Sequence, residues 1–152
     1  MSIEKEQLTM NKKAEIFQKY LEEKEIKAFQ MEEIKDDELK TVVFRSNIEA
    51  EGQQLPTMII TDETIYTMFR VQVAAKALRE DNEVELIKVI NEINAKYKIL
   101  KYYFAENGDL VLDSCVVSPV DELDGDMVYT ILDVIVKHLT SEYRQIMKKI
   151  WG

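Results

Sequence analysis

Apolar residues recur at helical spacing in the first part of the chain. From about residue 10 to residue 24, one face of a predicted helix carries Ile16, Phe17, Tyr20 and Leu21. Charged residues such as Lys13 fall outside this apolar set, so we expect them to face solvent. Thr9 or Asn11 is positioned to cap the first free amide groups of the helix.

A second helical pattern begins at Asn82 and ends near Tyr97. Asn82 followed by Glu85 fits a capping box. The apolar residues predicted to face the core are Val84, Ile87, Ile90 and Ile93, with Asn94 as an alternative to the last of them.

A third helix is predicted from a cap at Asp124 or Asp126 to about Lys149. At about 1.5 Å per residue it would be near 38 Å long, which is more than the width of a small domain. Such a length favours a partner, or at least an exposed end. Its apolar period includes Ile146 and Ile150.

Between the helices the hydrophobic period becomes alternating, which predicts strands. Gly52 and the Asp62-Glu63 pair mark turns within residues 27–73, and Asn107-Gly108 joins two later strands. The predicted order is helix, three or four strands, helix, two strands, helix. Hairpins dominate this order, so the fold class is α+β with a largely antiparallel sheet.

Composition and charge narrow the classes of function. The chain has 152 residues and a formal net charge of −9, which fits a single domain over residues 1–152 with a frayed segment 1–9. Negative charge opposes binding to nucleic acid and to anionic membranes. The first residues carry no apolar core typical of a signal peptide, and no apolar run approaches the ~20 residues that span a bilayer. We therefore expect a cytoplasmic protein.

The sequence offers little to hold a metal or a cofactor, and we predict neither. One cysteine and one histidine cannot supply a structural zinc site. An EF-hand loop centred on Gly125 fails at both ends, at Val120 and Ile131, so the nearby carboxylates are interpreted as helix caps. Phosphate-loop, GxGxxG, GxSxG and HExxH motifs are missing. The acidic residues in question are Asp121, Glu122, Asp124 and Asp126.

Two side chains remain as candidates for a catalytic or pH-sensing role. Cys115 is predicted to be a buried core thiol, although a nearby base would make it a nucleophile. His138 is predicted to lie at the boundary of the core and to hydrogen-bond its neighbours, with a general base or pH sensor as the alternative. An enzyme or small-ligand binder would need Cys115, His138 or Tyr103 to converge on a pocket.

Candidates for a binding surface lie among the aromatic and helical apolar residues. A tryptophan beside the chain end is expected to fray unless it docks onto this chain or onto a second subunit. Tyrosine is common at interface hot spots. The residues predicted to take part in interactions are Tyr103, Ile146, Ile150 and Trp151.

The second half of the chain resembles the YbjN-type bacterial proteins, which are described as sensory transduction regulators. The resemblance is carried by Asn82, Ile90-Asn91-Glu92-Ile93-Asn94, Lys101-Tyr102-Tyr103-Phe104, Asn107-Gly108-Asp109-Leu110-Val111-Leu112 and the closing helix. It implies a fold similar to that of type III secretion chaperones, and a small, acidic, non-enzymatic protein that is often dimeric. It supplies no catalytic residues.

The leading hypothesis is therefore a non-enzymatic protein-interaction module, chaperone-like or regulatory, that binds a protein segment or a second copy of itself. One alternative is a small-ligand binder or enzyme with a site between sheet and helices. Another is an acidic immunity or antitoxin-like protein that neutralises a basic partner by charge complementarity.

Overall fold

The computed structural model describes residues 10–152, and the predicted fraying of residues 1–9 lies outside this range. Its helices and strands follow the predicted order. They are α1 (Lys12–Glu23), β1 (Gln30–Glu33), β2 (Val42–Ala50), β3 (Gln53–Thr61), β4 (Tyr66–Ala74), α2 (Glu83–Lys96), β5 (Lys101–Phe104), β6 (Leu110–Val117) and α3 (Gly125–Trp151).

Within residues 10–152 the strands form one six-stranded antiparallel sheet in the order β1-β2-β3-β4-β6-β5. The α+β class is therefore confirmed. Both predicted glycine turns are present, since Gly52 has φ of 79° and Gly108 has φ of 90°. A Cβ on Gly108 would lie 3.0 Å from the Leu78 carbonyl oxygen, so a side chain here would also press on the backbone of Leu78. The likeness to secretion chaperones stays a prediction.

Contacts group the chain into two compact units, and the expectation of a single domain stays a prediction. Unit 1 contains the described residues up to Ser46, with Met58–Phe69 and Cys115–Thr130. Unit 2 contains Asn47–Thr57, Arg70–Ser114 and Ile131–Gly152.

Unit 1 is built around the buried ring of Phe17. This ring packs edge-on against Phe44, with centroids 4.9 Å apart. Of the two predicted caps of α1, Thr9 lies outside the described residues, and Asn11 is confirmed, because its side chain accepts a hydrogen bond from the Ala14 amide at 2.8 Å. The start of α3 is capped by Asp124, which accepts from the Asp126 amide at 3.0 Å.

The expectation that Lys13 faces solvent is wrong, because its side chain is completely buried in unit 1. Its ammonium group donates hydrogen bonds to the carbonyl oxygens of Thr64 at 2.8 Å and Tyr66 at 2.6 Å, and lies 3.9 Å from the Asp62 carboxylate. Burial lowers the pKa of Lys13, while the charge of Asp62 opposes that shift. These partners replace the water that the ammonium group loses.

The predicted set of core-facing residues on α2, in unit 2, is partly wrong. Leu86, Ile90 and Ile93 are buried, whereas Val84 is 84% exposed and Ile87 is 46% exposed. The core position is therefore taken by Leu86, and Val84 lies on the opposite side of the helix because two residues turn the helix by about 200°.

The predicted capping box at Asn82 is wrong. Asn82 precedes the first turn of α2, but its side chain makes no capping hydrogen bond to that helix. Its oxygen accepts from the Arg79 amide at 2.8 Å, and its amide nitrogen donates to the Ala77 carbonyl at 2.8 Å. The side chain is engaged by the segment before the helix instead.

Within residues 10–152, no helix combines the length and the apolar character that crossing a bilayer requires.

Candidate functional site

The structure separates the four residues predicted to take part in interactions. Ile146 and Ile150 are buried in unit 2 and belong to its core. Trp151 is 59% exposed at the end of α3. Tyr103 is half-buried on β5. Of the four, Trp151 presents the largest open apolar surface.

The last turn of α3 is held by the segment that precedes α2. The Arg79 guanidinium donates to the Ile150 carbonyl oxygen at 2.8 Å, and its carbon lies 5.1 Å from the centroid of the Trp151 ring. Asn82 also reaches the Ile150 oxygen, at 3.5 Å. Arg79 thus satisfies a terminal helix carbonyl and stacks on the indole at the same time. We call Arg79 and Asn82 the C-terminal clamp.

Beside the clamped tryptophan lies an open groove of about 380 Å³, which we call the C-terminal groove. Most of its lining comes from successive turns of α3, where residues three and four apart share a face. Tyr143 is buried, and Met147, four residues later on the same face, is half-buried. The lining residues are Glu51, Tyr143, Arg144, Met147, Lys148, Trp151 and Gly152.

The groove combines apolar walls with positive charge. Arg144 and Lys148 are exposed on α3, and Arg144 pairs with Glu51 at 3.2 Å. Cations in the last turns of a helix are favoured by its dipole. In a chain of net charge −9, these two side chains make the groove locally more cationic than the chain as a whole. It therefore suits a ligand that carries both carboxylate groups and apolar groups.

A second polar site in unit 2 is closed. His138, only 4% exposed, places its Nε2 atom 2.8 Å from the Tyr102 hydroxyl, and its ring lies edge-on to Tyr97 with centroids 4.3 Å apart. The expected boundary position is therefore wrong, although the expected hydrogen bond is present. Among residues 10–152, its Nδ1 atom has no hydrogen-bond partner.

The electrostatics of this closed site keep its groups neutral. Burial, with the charge of Lys96, lowers the pKa of His138 to about 4. Burial, with the charge of Glu142, raises the pKa of Tyr102. Both shifts follow from the loss of water around the charged form. At neutral pH the site is a hydrogen-bonded pair without formal charge.

Tyr103 belongs to a third cluster, on the other face of β5. Successive strand residues point to opposite faces, so Tyr103 is directed away from Tyr102 and His138. The buried carboxylate of Asp113 accepts two hydrogen bonds from Arg70, at 2.9 and 2.8 Å. Burial and the charge of Asp113 raise the pKa of Tyr103.

Cys115 lies in unit 1 and is exposed, so the prediction of a buried core thiol is wrong. Its strand position, one residue after the buried Ser114, turns it to the opposite face. Tyr103 and His138 lie in unit 2 on opposite faces of β5, and neither contributes to the C-terminal groove. Those two side chains do not converge on one pocket.

No cluster of three or more histidine, cysteine, aspartate or glutamate side chains in residues 10–152 is arranged to hold a metal ion. No protein-family model matches this chain, and no curated protein matches it.

The C-terminal groove could be predicted only in part from the sequence. The unusual length of α3 and the terminal tryptophan pointed to this end of the helix. The clamp was missed because Arg79 lies 72 positions before Trp151, and no local pattern joins them. Met147 and Arg144 fall on the exposed side of a periodic helix, which by itself indicates only a solvated face.

Proposed function

We propose that this protein is a non-catalytic, cytoplasmic interaction module whose C-terminal groove binds a segment of a protein partner that is both acidic and apolar. One observation supports this most directly: Trp151 is held by Arg79 yet keeps more than half of its surface in solvent. A clamped but open tryptophan is suited to binding, because its conformational freedom is already reduced before the partner arrives.

The chemistry of the groove supports an acidic and apolar partner. Trp151 and Met147 offer apolar surface, and aromatic residues are enriched among interface hot spots. Lys148 lies within the same groove and forms no ion pair in the described part of the chain. A carboxylate of the partner would give this cation a counterion while the apolar side chains are covered.

Glu51 already pairs with Arg144, so it competes with a carboxylate of the partner for that cation. Both side chains are largely exposed, and an exposed ion pair contributes only about 0–1 kcal/mol. An incoming carboxylate can therefore displace Glu51 from Arg144 at small cost. A chaperone-like or regulatory role is compatible with such reversible binding and is part of this proposal.

Fluorescence anisotropy with two labelled peptides tests the proposal. In one peptide glutamate and leucine residues follow helical spacing, and in the other every glutamate is replaced by lysine. We expect the acidic peptide to bind at micromolar concentration and the basic peptide at least about tenfold more weakly. Preferred binding of the basic peptide would overturn the proposal and favour the alternative of a basic partner.

A matched pair of charge reversals locates the binding site. Lys148→Glu reverses a charge inside the groove, and Lys149→Glu makes the same change one residue later, outside its lining. Both variants oppose the helix dipole in the same way. We expect Lys148→Glu to weaken the acidic peptide about tenfold and Lys149→Glu to change its affinity less than about twofold. Equal effects of both variants would contradict binding in the groove.

A further inference from the structure

Glu51 occupies an unusual place in the turn between β2 and β3. Only Glu51 and Gly52 separate the two strands, and both have positive φ, of 49° and 79°. Two-residue turns of this kind prefer asparagine, aspartate or glycine at the first position, because other residues rarely adopt positive φ. The geometry of the turn therefore does not explain a glutamate here.

The carboxylate of Glu51 lies in the C-terminal groove, where it pairs with Arg144 at 3.2 Å. The pair joins the turn to α3 across 93 positions of sequence. Both side chains remain open to solvent, with exposed fractions of 45% for Glu51 and 70% for Arg144. Glu51 thus holds the place that a carboxylate of a partner would take on Arg144.

The two cations of the groove differ in this respect. Lys148 forms no ion pair within residues 10–152, whereas Arg144 already has Glu51 as its partner. Because they are four residues apart on α3, they lie on one helix face, with about 5–6 Å between their Cβ atoms. The groove therefore has two anion sites one helical turn apart, and the protein itself supplies the anion for one of them.

An apolar row runs beside this cationic row. Met147 and Trp151 are also four residues apart on α3, and Met147 directly precedes Lys148. The two rows are therefore neighbours, turned by about 100° around the helix axis. A partner that covers Met147 and Trp151 brings its flanking carboxylates to Lys148 and Arg144.

We infer that Glu51 is a specificity-determining residue of the C-terminal groove. By holding Arg144 it limits recognition to one carboxylate of the partner, the one that pairs with Lys148. This inference rests on the proposed function of the groove and describes its partner more narrowly, as an apolar segment in which a single carboxylate contributes to affinity. A second carboxylate, one turn away, adds almost nothing.

The energetics of exposed ion pairs support this selectivity. A second carboxylate that reaches Arg144 must replace Glu51, and the exchange of one exposed ion pair for another of the same kind gains little. The displaced Glu51 also stays nearby as a like charge, which opposes the exchange. Removal of the Glu51 charge should therefore make the second anion site available to the partner.

Three helical peptides test the role of Glu51 by fluorescence anisotropy. The parent peptide carries two glutamates four residues apart beside a row of leucines, and each of the other two has one glutamate replaced by glutamine. With wild-type protein, one replacement should weaken binding about fivefold and the other less than about twofold. With Glu51→Gln, the parent peptide should bind at least about threefold more tightly than to wild type, and both replacements should weaken it about fivefold.

Two further variants separate this role from general charge and from folding. Glu49→Gln removes the same charge from an exposed position two residues earlier, outside the lining of the groove. It should change the affinity of each peptide less than about twofold. Glu51→Asn removes the charge with a residue that suits the turn, so we expect unchanged or higher thermal stability together with the peptide preferences of Glu51→Gln.

The inference is supported if the second glutamate of the peptide strengthens binding only after Glu51 has been replaced. It is overturned if both glutamates already contribute about fivefold in the wild type, if the ratios among the peptides are the same in Glu51→Gln, or if Glu49→Gln changes them equally. When the parent peptide binds the wild type but these ratios stay unchanged, only the role of Glu51 fails. When no peptide binds either protein, the proposed function fails and this inference fails with it.

Discussion

Unit 2 contains two sites on α3 whose polar groups lie in opposite environments, one buried and one open to solvent. At the Tyr102–His138 pair, two ionisable side chains are buried, hydrogen-bonded at 2.8 Å and kept neutral. At the C-terminal groove, Arg144 and Lys148 stand in solvent beside the open ring of Trp151. The groups with chemical reactivity are closed off, and the groups suited to recognition are open.

This difference separates what each site contributes to the molecule. A buried neutral pair joins β5 to α3 and stabilises the fold, because removing one partner leaves a polar atom without water. A charged open groove contributes little to folding, because its ion pair is exposed. Substitutions at the two sites should therefore divide into changes of stability and changes of binding.

The largest expected contrast comes from neighbouring residues on α3. Ile146 is completely buried, whereas Met147 is half-buried in the wall of the groove. Ile146→Ala is expected to lower the free energy of unfolding by about 3 kcal/mol, because it leaves a cavity. Met147→Ala should lower it by less than about 1 kcal/mol. Urea titration followed by circular dichroism measures both, and similar losses would break the distinction between core and groove.

The next largest effect on stability is expected when the pH is lowered through the range in which His138 of the closed site titrates. The pKa of His138 falls from 6.5 in the unfolded chain to about 4 in the folded one, so the unfolded chain binds more protons between these values. The stabilisation by neutral His138 is complete above pH 6.5 and is lost as the pH falls to 4. We expect a loss of up to about 3 kcal/mol from this residue.

Carboxylates also titrate over this range, so the contribution of the histidine must be isolated by difference. His138→Gln keeps a hydrogen-bonding side chain but cannot take up this proton. Its free energy of unfolding, measured by urea titration from pH 7.5 to pH 4.5, should fall less steeply than that of the wild type. Parallel pH dependences in the two proteins would show that His138 is not buried in its neutral form.

The hydroxyl of Tyr102 makes a smaller contribution that needs no change of pH. Tyr102→Phe keeps the buried ring but leaves Nε2 of His138 without its partner. We expect a loss of about 1–2 kcal/mol at pH 7.5. Tyr103→Phe, on the other face of the strand, provides the comparison at the neighbouring position. A Tyr102→Phe variant as stable as the wild type would contradict the buried hydrogen bond.

The smallest effect on stability is expected at the groove itself. Trp151→Ala removes a ring that is already more than half exposed and should change the free energy of unfolding by less than about 1 kcal/mol. The same change should weaken binding of the acidic peptide at least about tenfold, because the ring supplies much of the apolar contact. A variant that loses several kcal/mol but binds normally would assign Trp151 to the fold instead.

Sequence periodicity predicted the elements of the fold better than it predicted their faces. The hairpins followed from Gly52 and Asn107-Gly108, because turn geometry is a local property. The inner face of α2 was misassigned, because Val84 and Leu86 fit an apolar period equally well and only packing decides between them. Lys13 was placed in solvent because its carbonyl partners lie about 50 residues further along the chain.

The candidate site shows the same limit. Trp151 was identified from its chemistry and position, but Ile146 and Ile150 were grouped with it although they are buried. Arg79, which holds Trp151, belongs to another segment of the chain. The contact between these two side chains is apparent only in the folded structure. Local sequence can identify an unusual side chain, whereas its partners depend on the tertiary fold.

Trp151 is the sole tryptophan of the chain, so its fluorescence emission reports on the groove without a label. The acidic peptide should shift this emission to shorter wavelength and protect it from acrylamide quenching, with saturation at micromolar concentration and an about tenfold higher half-saturation concentration in Lys148→Glu. An emission spectrum that stays unchanged while the peptide binds, or when it is added to millimolar concentration, would contradict binding of the segment against Trp151.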